Sequence, residues 1–229
     1  SQIIKYNPAK LILIENNEYS LYQIHEELKK IKTNFKLETK IEELLVSVND
    51  YKKLDFYFSS FSIQFVFHAA AFKHVPITQK NLIESFENNY LGTVNLAKLS
   101  LKHKIQEFVF ISTDKAVNPV NVLGASKRMG EIYLKYISDQ HPNHNTNFNS
   151  VRFGNVLGST GSVAPLFVKQ IKNGGPVTVT DPDVTRYLMS IREAVGLILE
   201  TLLLESKNGI YILEMGKPIK ILNLAKQMI

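Results

Sequence analysis

Three consecutive polar residues that could transfer protons follow a continuously apolar segment of the chain. Thr113, Asp114 and Lys115 come directly after Phe108–Ser112 in the stretch FVFISTDKAVNP. Enzymes with an α/β sheet keep their reactive groups at the carboxyl ends of strands, and an acid beside an amine can act as an acid–base pair. The same two charged side chains could form an ordinary surface ion pair. The segment therefore predicts either a catalytic turn or a solvated one.

Two other strand ends carry residues that suit a dinucleotide. Glu15 ends an apolar run, where a carboxylate can accept both ribose hydroxyls of NAD and repel the extra phosphate of NADP. The third predicted strand ends in His68, Ala69 and Ala70. The small alanines would let a flat ligand approach the backbone, and the amine of Lys73 could meet a phosphate. The alternatives are a solvated acid at Glu15 and a tight helix–strand contact at the alanines.

Short apolar runs alternate with longer segments of helical period, which is typical of a doubly wound parallel sheet with helices on both faces. The runs are almost continuously apolar, as strands buried on both faces must be. We predict strands at Lys10–Ile14, Leu44–Val48, Gln64–Ala69, Glu107–Ser112 and Ser150–Phe153. We predict helices at Ser20–Thr33, Tyr51–Ser60, Leu82–His103 and Gly124–Ser138. The fold class is therefore α/β of the Rossmann type.

The glycine-rich phosphate loop of such a fold is missing from these residues, because the first glycine is Gly92. That loop normally joins the first strand to the first helix. We interpret Ser1–Asn7, followed by Pro8, as the tail of that first helix, so the phosphate loop is expected to lie upstream of Ser1. Glycines and prolines become frequent after Phe153. We accordingly predict a cofactor-binding domain over 1–157 and a smaller substrate-binding region over 158–229.

Composition narrows the possible partners. The 27 Lys and Arg against 21 Asp and Glu give a net charge of +6, which favours anionic ligands. These charges are dispersed, so nucleic-acid binding is not predicted. The chain has no cysteine, which excludes disulfides and thiolate metal sites, and no metal site is predicted. No apolar run reaches the roughly 20 residues that cross a bilayer, so no membrane contact is predicted within this chain.

Several long motifs, in order, resemble one family. They are FVFHAAAFKHVP, NNYLGTVN, FVFISTDKAVNPVNVLGASKR, VRFGNVLGSTGSVAPLF and GGPVTVTDPDVTRYLM. Together they closely resemble the CapD-like UDP-N-acetylhexosamine 4,6-dehydratases of bacterial surface-polysaccharide biosynthesis, over nearly the whole chain. The resemblance implies an extended short-chain dehydrogenase fold, NAD as cofactor, a UDP-sugar substrate, a homo-oligomer and a cytoplasmic location, with an upstream membrane anchor as a further possibility.

The resemblance also implies roles for individual residues. Thr113, Asp114 and Lys115 fall on the family's catalytic Thr-Asp-Lys run, and Lys127 falls on the lysine that holds the nicotinamide ribose. Positions that resemble those facing the sugar-nucleotide diphosphate are Asn155 and Arg186, with Ser162 in the nearby loop Gly158–Ser162, which could also be an ordinary tight loop. Asn88 or Asn89 resembles a structural asparagine of the superfamily.

One position departs from the pattern. The superfamily has Tyr-x-x-x-Lys and many members of this family have Met-x-x-x-Lys, whereas in this chain Leu123 precedes Lys127. Because a leucine cannot take a proton, the base for the sugar O4 must be Thr113 through water, Asp114 or an unprotonated Lys127. A 4-epimerase and a non-catalytic module that binds NAD or a nucleotide are the alternative functions.

Overall fold

The computed structural model describes residues 1–159, 161–204 and 208–229. The strands are β1 (Lys10–Glu15), β2 (Lys40–Leu45), β3 (Phe65–His68), β4 (Glu107–Ile111), β5 (Asn147–Arg152), β6 (Asn155–Leu157), β7 (Thr185–Arg186), β8 (Leu188–Ser190), β9 (Ile210–Ile212) and β10 (Ile219–Lys220). The helices are α1 (Glu18–Phe35), α2 (Tyr51–Ser60), α3 (Val75–Thr78), α4 (Leu82–Phe86), α5 (Gly92–Lys102), α6 (Val122–Gln140), α7 (Val163–Lys172), α8 (Ile191–Glu200) and α9 (Ile221–Met228). Single helical turns occur at Ile3–Tyr6, Glu87–Leu91, Asp114–Ala116 and Thr201–Leu203.

Parallel sheets organise the chain, as the alternating pattern predicts. A four-stranded parallel sheet has the order β3-β4-β5-β9, and β1 and β2 form a separate two-stranded parallel sheet. The strand β9, which comes from the region after residue 157, pairs with β5. The short pairs β6-β8 and β7-β10 complete the pairing. The α/β fold class is therefore confirmed, while the proposed domain boundary at 157 stays a prediction.

The four-stranded sheet is covered on both faces. Successive residues of a strand point to opposite faces, and β4 shows this directly. Phe108 and Phe110 are fully buried in the larger core, with α2, α5 and α6, whereas Val109 is buried in a second core with α8. This double burial explains why all residues of β4 after Glu107 are apolar.

The second strand begins earlier than predicted. β2 starts at Lys40, and the predicted range Leu44–Val48 covers only its end and the residues after it. Three of its first four residues are charged, namely Lys40, Glu42 and Glu43, and all four are exposed or only partly buried. Leu44, Val46 and Val48 alternate into the core, and this burial produces the apolar run that misplaced the boundary.

The long helix predicted over Leu82–His103 is interrupted. A π-helical turn at Glu87–Leu91 separates α4 from α5. Such turns insert an extra residue into the helical ladder and frequently occur at functional sites. This turn carries Asn88 and Asn89, both buried. None of the helices in the described ranges is both long and apolar enough to cross a bilayer.

Candidate functional site

The predicted catalytic turn forms a compact polar cluster after β4. The amine of Lys115 donates to Asp114 Oδ1 at 2.9 Å, and the Thr113 hydroxyl donates to the same oxygen at 2.9 Å. The Asp114 backbone N–H donates to the Phe153 carbonyl at 3.0 Å, which ties the turn to the segment after β5. The Asp114 and Lys115 side chains are 25% and 29% exposed, so both can reach a ligand. An acid and an amine in contact can exchange a proton.

Asn155, the first residue of β6, joins this cluster. Its side-chain oxygen accepts from the Lys115 amine at 3.3 Å, and its backbone N–H donates to the Tyr187 carbonyl at 2.9 Å. The preceding Gly154 permits this approach, because a Cβ there would lie 2.8 Å from both Tyr187 Cβ and its carbonyl oxygen. The structure therefore brings together Lys115 and a residue 40 positions away that the sequence assigned to the diphosphate. That assignment stays a prediction.

Lys127 lies inside the protein on α6. Burial lowers the pKa of its amine to about 7, and the carboxylate of Glu131 opposes this shift. The amine lies 4.4 Å from the centre of the Phe110 ring, a geometry in which the ring face attracts a cation. Leu123, one turn earlier, is 8% exposed. The position that holds a tyrosine in the superfamily thus carries a buried apolar side chain in this protein.

Gly124 fixes the distance between this helix and the catalytic turn. A Cβ at this position would lie 2.4 Å from the Lys115 carbonyl oxygen and 3.1 Å from its carbon. Both are backbone atoms that cannot rotate away, so the first turn of α6 reaches Lys115 only with glycine at this position. The Asn121 side chain caps the helix by accepting from the Gly124 N–H at 2.9 Å.

His68 is a buried residue of the core and not an exposed ligand. Its Nε2 lies 2.8 Å from the Thr93 hydroxyl, and that hydroxyl donates its single hydrogen to the Asn89 carbonyl at 2.7 Å. Nε2 must therefore carry the hydrogen that Thr93 accepts. Burial, with the charge of Lys127 as a smaller cause, lowers the pKa of His68 well below its ordinary value. Its side chain is neutral, and ligand contacts at this strand end would come from the exposed Ala69 and half-buried Ala70.

Asn89 holds the loop after β3 against α6. Its side chain accepts from the Phe72 N–H at 2.7 Å and donates to the Phe72 carbonyl at 3.0 Å. It also donates to the Ser126 hydroxyl at 3.2 Å, beside Lys127. Asn88 contributes by donating to Asn89 Oδ1 at 3.1 Å. Of the two candidates for a structural asparagine, Asn89 therefore makes the bonds that join the two segments.

Glu15 ends β1 and is partly buried. One carboxylate oxygen, Oε1, accepts the backbone N–H groups of Asn16 at 2.9 Å and Asn17 at 3.0 Å. These bonds fix the carboxylate at the strand end. The second oxygen, Oε2, takes no part in these two bonds, and the ribose contact predicted for this carboxylate stays a prediction.

Two loops meet across the entrance to the site. Lys73 lines a cavity of about 320 Å³ together with its neighbours in 71–78. The residue as a whole is exposed, but its amine is partly buried, and this burial lowers the pKa of the amine. His74 in this loop contacts Gly161, where a Cβ would lie 2.3 Å from the ring. Gly161 also has φ +70°, a conformation that favours glycine. Gly161 therefore packs directly on the loop that follows β3.

The other two residues predicted to bind the substrate diphosphate are Ser162 and Arg186. Ser162 directly precedes α7, and its hydroxyl is buried with no hydrogen-bond partner in the described ranges. Arg186 lies in β7, two residues before Leu188, and Leu188 pairs with Asn155. The Arg186 guanidinium donates to the Thr185 carbonyl at 2.7 Å. Thr160 of the same loop lies outside the described residues. Among the described residues no group of three or more His, Cys, Asp or Glu is placed to hold a metal ion.

A buried ionic cluster beneath the catalytic turn is absent from the sequence-based prediction. The carboxylate of Glu131 on α6 accepts from Arg152 at the end of β5 and from Ser112 at the end of β4. This contact raises the pKa of the Arg152 guanidinium. Two signals were available in the sequence: a charged arginine lies inside the predicted strand Ser150–Phe153, and a glutamate follows Lys127 by one helical turn.

Known proteins resemble this chain over its whole length. A family model described as polysaccharide biosynthesis protein matches residues 1–229. The capsular polysaccharide biosynthesis protein CapD of Staphylococcus aureus is 45% identical over 228 residues, which cover 100% of this chain and 37% of that protein. A UDP-glucose 4-epimerase of Rickettsia canadensis is 39% identical over 160 residues, which cover 70% of this chain and 46% of that protein. The chain thus spans little more than a third of the length of its capsular relative.

Solved structures share the fold. Pen from Bacillus thuringiensis superposes with a TM-score of 0.88 at 32% identity, over 100% of this chain and 67% of that one. A dTDP-glucose 4,6-dehydratase, DesIV from Streptomyces venezuelae, solved as a double mutant with NAD bound, has a TM-score of 0.81 at 17% identity, over 96% of this chain and 71% of that one. The latter likeness shows the fold alone, which is the extended short-chain dehydrogenase fold.

Proposed function

This chain belongs to the polysaccharide biosynthesis protein family and shares the fold of nucleotide-sugar dehydratases and epimerases, and we propose that it carries out NAD-dependent 4,6-dehydration of a UDP-N-acetylhexosamine. UDP-N-acetylglucosamine is the substrate that we would test first. The observation that carries the proposal is the contact of Lys115 with both Asp114 and Asn155. Buried Lys127 lies on α6, the helix whose Gly124 packs against Lys115. A reaction that needs an acid and a base at adjacent carbons would use such a pair.

The residues around the cofactor position suit NAD in their chemistry. Glu15 offers a fixed carboxylate for ribose hydroxyls, and Ala69 and Ala70 offer little bulk. Lys127 offers an amine that, when charged, can donate to the nicotinamide ribose. When bound, NAD would supply the acceptor for hydride from C4 and return that hydride at C6.

The contact between Lys115 and Asp114 suits the elimination step. A proton transferred across their 2.9 Å hydrogen bond would give a neutral amine and a protonated acid. Once C4 is a ketone, the neutral Lys115 would remove the C5 proton. Asp114 would donate its proton to the departing C6 hydroxyl, which leaves as water. The protons therefore balance within the pair.

The proton of the sugar O4 needs a separate acceptor because Leu123 has none. Thr113 acting through water, Asp114 and Lys127 remain the three candidates. With a pKa of about 7, a large fraction of Lys127 is neutral at neutral pH, so the amine is available in both forms.

The substrate would extend toward the second loop. The proposal assigns the UDP-sugar diphosphate to Arg186, Ser162 and the amine of Lys73, with Asn155 at the sugar end. A guanidinium suits a diphosphate because it can donate two parallel hydrogen bonds. The Ser162 hydroxyl, directly before α7, is buried and has no hydrogen-bond partner among the described residues, which supports this assignment. Residues 1–157 would then bind the cofactor and 158–229 the sugar.

We also propose that the protein forms a homo-oligomer and is located in the cytoplasm. One continuous aromatic row supports the oligomer: Phe86 and Tyr90 have ring centres 5.0 Å apart, and Tyr133 and Tyr136 continue the row on α6. Phe86, Ile132 and Tyr136 on these helices are exposed. We expect a second copy to cover this face, and light scattering on the purified protein measures it.

The similarity to a 4-epimerase favours one second candidate, in which hydride returns to C4 and no water is lost. The test is to incubate the natural full-length protein with UDP-N-acetylglucosamine and NAD, followed by mass spectrometry. A product lighter by one water supports dehydration. A product of unchanged mass but altered C4 configuration would establish the epimerase, and the absence of any product would indicate a binding module.

A further inference from the structure

Glu131 is the centre of the most buried ionic cluster in the described residues. Its side chain has no exposed surface. Oε1 accepts from the Ser112 hydroxyl at 2.6 Å and from Arg152 Nε at 2.7 Å. Oε2 accepts from the Arg152 terminal nitrogen at 2.5 Å and from Arg128 at 3.2 Å. We call Glu131, Arg152 and Ser112 the Glu131 cluster.

Each member of the Glu131 cluster is close in the chain to a residue of the proposed active site. Ser112 directly precedes Thr113 of the catalytic turn, and Arg152 is three residues before Asn155. Glu131 follows Lys127 by one turn on α6. The cluster therefore joins the ends of β4 and β5 to α6, at the level where each element presents a reactive side chain.

The backbone repeats the same connections. The Ser112 N–H donates to the Val151 carbonyl at 2.8 Å, and the Asp114 N–H donates to the Phe153 carbonyl at 3.0 Å. These two bonds lie immediately on either side of the Glu131 cluster. A displacement of Arg152 would therefore be transmitted to the segment that carries Asn155 and to the turn that carries Lys115.

Stability alone does not account for this arrangement. Removing two charges from water is costly, and apolar residues of similar volume often replace a buried ion pair without loss of stability. A bidentate arginine–carboxylate contact, in contrast, fixes the relative position of two elements in both distance and angle. Fixing the turn and α6 to within a fraction of an ångström is the requirement for acid–base catalysis.

We propose that Glu131 and Arg152 are positioning residues that hold the catalytic turn, Asn155 and Lys127 in one arrangement. The kinetic test of this role depends on the dehydration proposed above, whereas the second test depends on the structure alone. The Glu131 and Arg152 side chains are at most 10% exposed, which leaves little surface for a substrate contact. They act through the side chains that would contact it.

The kinetic test uses the double variant Glu131→Leu/Arg152→Met in the natural full-length protein. Because the pair is replaced by apolar side chains of similar size, we expect the melting temperature to stay near that of the wild type. We expect kcat to fall by about 10- to 100-fold while KM changes by less than about 3-fold. The matched control is Lys135→Gln/Asp139→Asn, which removes an exposed ion pair of the same helix and should leave kcat unchanged.

A milder variant keeps the test decisive if the double variant does not fold. Arg152→Lys retains the charge but loses the two-pronged contact with the carboxylate. We expect a folded protein with kcat lowered by about 3- to 10-fold. Wild-type kcat in a folded Arg152→Lys protein, or in a folded double variant, would overturn the positioning role.

The second test needs no reaction. Amide hydrogen exchange should accelerate by about 10-fold at Ser112, Asp114 and Ala116 in the double variant, because their hydrogen bonds are no longer supported by the cluster. Exchange in the β1–β2 pair should stay unchanged. Equal protection of the catalytic turn in variant and wild type would contradict the proposal. If the wild type releases no dehydrated sugar, the proposed function fails, whereas the exchange measurement still decides the role of the cluster.

Discussion

The two sides of the proposed site are built differently. On the side of β4, β5 and α6, reactive groups rest on buried residues: Lys127, Glu131 and Arg152 are all at most 8% exposed. In residues 158–229, α7 and α9 share a separate small core of Phe167, Ile221 and Ala225, whereas α8 packs against the sheet through Ala194 and Ile198. The ion pair there, Lys220 with Asp183, is exposed. The turn that carries Asp114 and Lys115 is therefore backed by a large buried core, whereas α7 and α9, near the residues proposed for the nucleotide-sugar, rest on a smaller one.

The largest expected effect tests the side of β4, β5 and α6 directly. Lys115→Ala should slow dehydration by about 10²- to 10⁴-fold, the usual contribution of a positioned acid–base group. Substrate affinity should stay within a few-fold because the diphosphate contacts remain. Wild-type turnover in D₂O should label the product at C5. A Lys115→Ala protein that dehydrates and labels C5 at the wild-type rate would show that another group is the base.

Burial of Lys127 should destabilise the folded protein in a pH-dependent way. The pKa is about 7 in the folded state and near 10.5 when unfolded, so the unfolded chain binds more protons between these values. Stability should therefore rise as the pH increases from about 7 toward 10. Lys127→Met should be more stable than the wild type by a few kcal/mol at pH 7, on the order expected from the shift, and this gain should shrink by pH 10.

Denaturant unfolding at both pH values measures the difference. The control is Lys98→Met, because Lys98 on α5 is exposed. A gain for Lys127→Met that is the same at both pH values would show that its amine is charged inside the protein.

Alanine substitutions at two glycines, one on each side of the site, test whether the two sides differ in how tightly they are packed. Gly124→Ala would place a methyl group 2.4 Å from the Lys115 carbonyl oxygen, and we expect a loss of about 1–3 kcal/mol in the free energy of unfolding with a lower kcat. Gly196→Ala on α8 has no atom within 4 Å of the new Cβ. It should be neutral or stabilising by up to about 1 kcal/mol. Equal effects of the two substitutions on stability and kcat would remove the contrast between the sides.

The smallest expected effect concerns the cofactor. The full-length protein should bind NAD in preference to NADP, and Glu15→Gln should weaken NAD binding by about 10-fold, a typical value for a lost charge-assisted hydrogen bond. Calorimetric titration of both cofactors measures this. Tighter binding of NADP than of NAD to the wild type would rule out the role of Glu15.

The order of residues alone was enough to predict the α/β fold class, because strands buried on both faces require continuous apolar runs such as that of β4. It also singled out Thr113, Asp114 and Lys115, since three polar residues after a buried strand mark the carboxyl edge of a sheet. It placed the start of β2 wrongly, because the first residues of that strand are little buried and need no apolar run.

The meeting of distant residues, in contrast, became visible only in the folded chain. The contact between Lys115 and Asn155, the approach of α6 that Gly124 permits and the Glu131 cluster all join residues from different elements. Local sequence carries the periodicity of one element, but such contacts depend on how elements pack together.

The packing of elements also explains why the two buried groups on β3 and α6 differ in their chemistry. Sequence marked both His68 and Lys127 as candidates. The packing around Thr93 made His68 a neutral core residue. The burial of Lys127 against Phe110 gave its amine a pKa of about 7, because a charged amine loses more hydration inside the protein than a neutral one.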